Sequence, residues 1–85
     1  MDFPSLKAKA LLALLRRPPL SYEISRQKGS HRVLDADGYP RLGFSFHDGV
    51  SVPPGVVKKI LVKDVGLSEE QALKVAQGKA EKGEV

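Results

Sequence analysis

Ala8, Leu11, Leu12 and Leu15 recur at i, i+3, i+4 and i+7, which predicts a helix over about residues 6–17 with one apolar stripe. Ser5 stands where an N-cap hydroxyl would sit, Arg16 and Arg17 suit the negative end of the helix dipole, and Pro18-Pro19 ends the pattern. The period then changes to two. Leu20, Tyr22 and Ile24 alternate with Ser21, Glu23 and Ser25, as in a strand over about 20–26 with one buried face. A second strand is expected at 31–36, closed by an Asp37-Gly38 turn. A third follows at 41–47, pointing Leu42, Phe44 and Phe46 inward and Gly43, Ser45 and His47 to the opposite face. In the second strand Val33 and Leu34 are both apolar, so alternation leaves the face of His31 open. Pro53-Pro54-Gly55 leads into a helix over about 55–65, with Val57, Ile60, Leu61 and Val65 inward and Lys58, Lys59 and Lys63 away from them. Gly66 suits its end. Ser68-Glu69-Glu70-Gln71 is a capping box for a short third helix whose apolar residues are Ala72, Leu73, Val75 and Ala76.

This order predicts an α+β fold, α-β-β-β-α, in which two helices cover one face of a three-stranded antiparallel sheet and a short extra helix follows. Residues 1–77 make a single domain, and 78–85 read as a flexible charged tail. A chain of 85 residues has room for one small core, so a substrate is expected on the open sheet face rather than in a buried cavity. Without cysteine there is neither a disulfide framework nor a thiolate metal site, and two histidines are too few for an evident zinc site. No metal or other cofactor is expected. The longest apolar run, residues 10–15, is far short of a membrane span, and nothing resembles a signal peptide; a cytoplasmic protein is expected.

The net charge of +4 is unevenly spread: residues 1–63 carry +6 and residues 64–85 carry −2. A basic body favours an anionic partner such as nucleic acid. The basic character is densest in Arg26-Gln27-Lys28-Gly29-Ser30-His31-Arg32, which holds three cations, a hydroxyl and a histidine with no acid among them. A glycine turn brings backbone amides close to a ligand, and Arg26, Lys28 and Arg32 supply charge for phosphate oxygens. His31 adds the one side chain type suited to proton exchange near neutral pH. A solvated hairpin tip is the plainer account of the same residues. His47-Asp48 is read as structural, because adjacent strand residues point to opposite faces.

The leucine-rich first helix, the Gly29-Ser30-His31 turn, the Asp37-Gly38 turn and Pro54-Gly55…Lys59-Ile60-Leu61…Gly66-Leu67 together resemble the HicA toxins. These are small bacterial mRNA interferases with a double-stranded-RNA-binding-domain-like (dsRBD-like) fold. The resemblance covers about residues 5–67. It implies that His31 is the catalytic histidine and that a HicB-like antitoxin covers the site. Phe44-Ser45-Phe46-His47 lacks the proline of the family's Val-Pro-x-His segment, so no role is carried over to His47. Val62 stands where the duplex-binding pattern wants a lysine, so duplex binding is not implied either. The expected activity is cleavage of single-stranded mRNA without a metal. The RNA 2′-hydroxyl is the nucleophile, His31 is the acid or base, and Arg26, Lys28, Gly29, Ser30 and Arg32 bind the RNA. Two other classes fit the same residues: a non-catalytic RNA-binding module, and an interaction protein whose positive face receives an acidic partner.

Overall fold

The computed structural model describes residues 3–18 and 20–78. The apolar stripe forms helix α1, Ala8–Arg16, with Ala8, Leu11, Leu12 and Leu15 buried as the periodicity requires. The helix starts later than the pattern predicts, because Leu6–Lys7 form a short strand, β1, paired antiparallel with Ser51–Val52 (β5). Ser5 is therefore not the cap. Lys7 holds that position with no side-chain cap bond, and the first helical amides donate to backbone carbonyls instead: Ala8 to Val50 at 2.8 Å and Lys9 to Asp48 at 3.2 Å. A distant loop thus satisfies donors that a hydroxyl would otherwise take.

Strands β2 (Glu23–Lys28), β3 (His31–Ala36) and β4 (Tyr39–Phe44) form an antiparallel sheet in the order β2-β3-β4. The first of these begins after residue 20, where alternation would start it. Ser21 and Tyr22 donate their amides to Arg17 (2.9 Å) and Leu15 (3.0 Å) at the end of α1, so the chain there satisfies helix carbonyls rather than a strand partner. Leu20 and Tyr22 are nonetheless buried, as expected. β4 stops at Phe44, before residue 47, because the chain turns off to deliver the carbonyls that cap α1. Phe46 stays half-buried with its ring edge-on to Phe44, centroids 5.3 Å apart.

Helix α2, Pro54–Lys59, runs without interruption into one π turn, Ile60–Asp64, and together they fill the expected span. The wider turn is closed by Val65 N–H donating to Ile60 C=O at 2.9 Å, and Val65 is buried with Ile60 and Leu61. Helix α3, Glu69–Ala76, carries the predicted capping box, with Ser68 and Gln71 bonded reciprocally at 3.2 Å. Its buried residues are Ala72, Val75 and Ala76, while Leu73 is half-buried.

The result is a compact α+β domain, a three-stranded antiparallel sheet with three helices, around one core that joins Leu11, Leu15, Tyr22, Leu34, Phe44, Val57 and Leu61. On the sheet, buried Leu34, Leu42 and Phe44 alternate with exposed Arg41 and Gly43, so one face packs on the helices and the other is open. No helix among the described residues is long and apolar enough to cross a membrane. The tail expected at 78–85 lies, beyond Gly78, outside the described residues.

Tyr22 ties α1's end to the sheet: its ring is buried 6.2 Å from that of Tyr39, and its hydroxyl donates to the Pro40 carbonyl at 2.8 Å. Burial, then the neighbouring Tyr39, push its pKa above the ordinary tyrosine value. A raised value means that the fold favours the neutral phenol. Its stabilisation is complete below about pH 10 and is lost as pH rises through the raised value. Tyr22→Phe should cost about 1 kcal/mol near neutral pH and flatten the alkaline loss of stability, read by urea unfolding across pH. An unchanged alkaline limb would show that the hydroxyl is not coupled to folding.

Candidate functional site

The basic motif folds as a tight hairpin. Lys28 pairs with His31, which leaves Gly29-Ser30 as a two-residue connection between β2 and β3. Gly29 has φ +61, and no atom lies within 4 Å of where its Cβ would be, so backbone conformation rather than space calls for glycine. Ser30 does not share the positive φ, as expected for a type II′ turn with glycine first.

The register then assigns the side chains to faces. Ile24 opposes Leu34 on the core side. A bulge at Ser25 follows, after which Arg26 opposes Val33 and Lys28 opposes His31. Without the extra residue, Arg26 would share the core-facing side with Ile24; the bulge moves it to the open face. Ser25 secures the bulge by donating its hydroxyl to the Val33 carbonyl at 3.1 Å. Arg26, Lys28 and His31 are thus gathered on the uncovered face at the hairpin end, all exposed. Among the described residues none of the three makes an ion pair or side-chain hydrogen bond, so the two cations and the imidazole are available to a ligand.

Three cations elsewhere, Arg41, Lys58 and Lys59, are paired. At the far end of the open face Arg41 meets Asp35 at 2.8 Å, and that hydrogen bond holds the Asp35 carboxyl below its usual range. On the helices Lys58 pairs with Glu69 at 3.2 Å and Lys59 with Asp64 at 3.6 Å. Free positive charge on the open sheet face is therefore concentrated at the hairpin.

Arg32 separates from its neighbours. It pairs with Gln27 and Phe44, so it lies on the helix side of the sheet. Its side chain is only 13% exposed, and one guanidinium nitrogen donates to Asp48 at 3.2 Å. Of the six residues singled out in the sequence, Arg26, Lys28, Gly29, Ser30 and His31 come together and Arg32 does not. His47 and Asp48 belong to a turn, not a strand, with Val50 N–H donating to His47 C=O at 3.0 Å. Asp48 is a residue sequence reasoning missed, and no local spacing signals its pairing with Arg32. No group of three histidine, aspartate or glutamate side chains that could hold a metal occurs among the described residues.

No protein-family model matches this chain, and neither a curated protein nor a solved structure does.

The turn conformation is testable by substitution. Gly29→Ala should cost about 1–3 kcal/mol through backbone strain alone. Gly49→Ala, at an ordinary φ and with nothing within 4 Å of the new Cβ, should change stability by no more than about 0.5 kcal/mol. Thermal unfolding of the two variants compares them; equal stabilities would mean that Gly29 does not hold the turn described.

Proposed function

We propose that this chain is the toxin of a type II toxin–antitoxin pair, an endoribonuclease that cuts single-stranded mRNA by histidine acid–base catalysis in the manner of the HicA family. The observation that carries the reading is the pairing of Lys28 with His31 across a two-residue turn, on the open face and beside Arg26. A histidine, the side-chain type suited to proton transfer, thus lies among cations that make no ion pair among the described residues, which supports the reading. A dsRBD-like arrangement of α1, the sheet and α2 goes with this reading, with the β1–β5 pair as an addition to it.

RNA supplies its own nucleophile. The 2′-oxygen attacks the adjacent phosphorus, the bond from phosphorus to the 5′-oxygen breaks, and the 2′-hydroxyl proton is in balance transferred to the leaving 5′-oxygen. His31 serves as acid or base in that transfer. Lys28, Arg26 and the amides of the Gly29-Ser30 turn offset charge developing on the phosphate. No step requires a metal-bound water. Arg32, directed to the other side of the sheet, is outside this reacting group. The partner is an acidic antitoxin of HicB type that masks Arg26, Lys28 and His31, and the setting is the cytoplasm, where mRNA is found.

A non-catalytic RNA-binding module using the same face is the competing reading. It is favoured by one feature: among the described residues no side chain is bonded to the imidazole to orient it. Substitution separates the two. His31→Ala and His31→Gln should lower cleavage of a single-stranded RNA by at least about 10²-fold while leaving the fold and RNA affinity nearly intact. Lys28→Ala should weaken binding and reduce the slope of log affinity against log salt by about 0.7. Wild-type cleavage rates in purified His31→Ala would overturn the catalytic assignment.

A further inference from the structure

The hairpin carries polar groups on both of its faces, and the ribonuclease reading uses only one. On the other side, α1 and the hairpin enclose a groove of about 320 Å³ whose lining includes Lys9, Leu12, Arg16, Gln27, Arg32 and Asp48. Lys9 and Arg16 are seven residues apart on α1, two turns or about 10 Å along one side of the helix. Both are exposed, and among the described residues neither makes an ion pair. Facing them are Gln27 and Arg32, which are cross-strand partners. Three cations against one carboxylate give the groove a net positive charge, and Asp48 is already committed to Arg32.

Arg32 adds an independent observation. One terminal nitrogen of its fork meets Asp48, whereas the other, Nη1, is buried with no hydrogen-bond partner. A buried donor left unsatisfied is costly, so a shift of the side chain that turns this nitrogen into the groove, toward the paired oxygens of a phosphate, recovers a hydrogen bond. Asp48 is 55% exposed at its side chain, so an oxyanion arriving in the groove can replace or join it at Arg32. The apolar part of the lining, Leu12 with neighbouring residues of the sheet, suits a ribose or base edge rather than a second charged group. β2 lies at the edge of the sheet, so nothing in the sheet separates the open face from this groove except a single strand.

We propose that the groove between α1 and the β2–β3 hairpin binds the sugar–phosphate backbone of the RNA strand beyond the cleavage point. Lys9, Arg16 and Arg32 meet its phosphates as the strand passes around the free edge of β2. The assignment rests on the ribonuclease reading and gives Arg32 a binding role on the side of the sheet away from His31. An extended chain of regularly spaced anions is the occupant that fits two cations separated along a helix and a third across the groove.

The test uses the full chain and a short single-stranded 2′-O-methyl RNA, which lacks the free 2′-hydroxyl needed for cleavage. Affinity is measured against salt for wild type, Lys9→Ala/Arg16→Ala and Lys28→Ala, together with amide shifts on titration. The double variant should lower the salt slope by about 1.4, that is about 0.7 for each cation removed, and RNA should shift the amides of Lys9, Ala13 and Arg16. Lys9→Glu/Arg16→Glu should weaken binding by about tenfold or more, with the circular dichroism of wild type retained because both sites are exposed. Unchanged slope and affinity in the double variant, with losses only in Lys28→Ala, would overturn the inference and leave the ribonuclease reading standing. Groove shifts caused by a polyglutamate peptide and not by RNA would overturn it in favour of an acidic protein partner. If wild type neither binds this RNA nor cleaves the unmodified strand, the ribonuclease reading fails and the groove assignment fails with it.

Discussion

The register between β2 and β3 is the constraint on which the site depends. Gly29, at φ +61, closes the hairpin in two residues and so fixes Lys28 opposite His31. The bulge at Ser25 then reverses the alternation once, which brings Arg26 to the same face as Lys28. A slip of one residue would exchange the two faces: His31 would turn toward the helices and Arg32 toward solvent. The catalytic and binding assignments are therefore statements about a pairing register before they are statements about chemistry.

A second set of bonds holds that register against the rest of the fold. The turn at residues 47–50 accepts the first amides of α1 through Asp48 and Val50, and the Asp48 side chain holds Arg32 on the underside of the hairpin. Tyr22 does the corresponding work at the other end of α1, reaching the Pro40 carbonyl from a buried position. The sheet is thus joined to α1 near both ends of the helix, although the hairpin tip, from Arg26 to His31, is mostly exposed. The cations of the tip therefore stand on an open surface rather than in an enclosed cavity, for which a domain of this size has little room.

Much of this was legible in local sequence. The α1 stripe, the inward set Leu42 and Phe44, the Asp37-Gly38 turn and the Ser68 capping box each depend on residues within a few positions of one another, and each is found where the pattern placed it. What escaped depends on distant pairing. The β1–β5 pair joins two residues near the start to two near Pro53, and it displaces the expected Ser5 cap by supplying carbonyls from a loop. The bulge is invisible to strict alternation. Arg32-Val33-Leu34 offers two apolar neighbours and no way to choose a face, so sequence alone groups Arg32 with His31, although the register sets it on the other side of the sheet. Asp48 could be recognised only once the fold had brought it to Arg32.

The central claim is that the RNA's own 2′-hydroxyl is the nucleophile at His31. A single 2′-deoxynucleotide placed immediately 5′ to a mapped cleavage site tests it most directly, with the products of the matched all-ribose strand identified by mass spectrometry. The account predicts that the substituted strand resists cutting at that position, and that the all-ribose strand yields a 2′,3′-cyclic phosphate and a 5′-hydroxyl end. Cleavage of the deoxy-substituted strand at the all-ribose rate, or products with a 5′-phosphate, would contradict it.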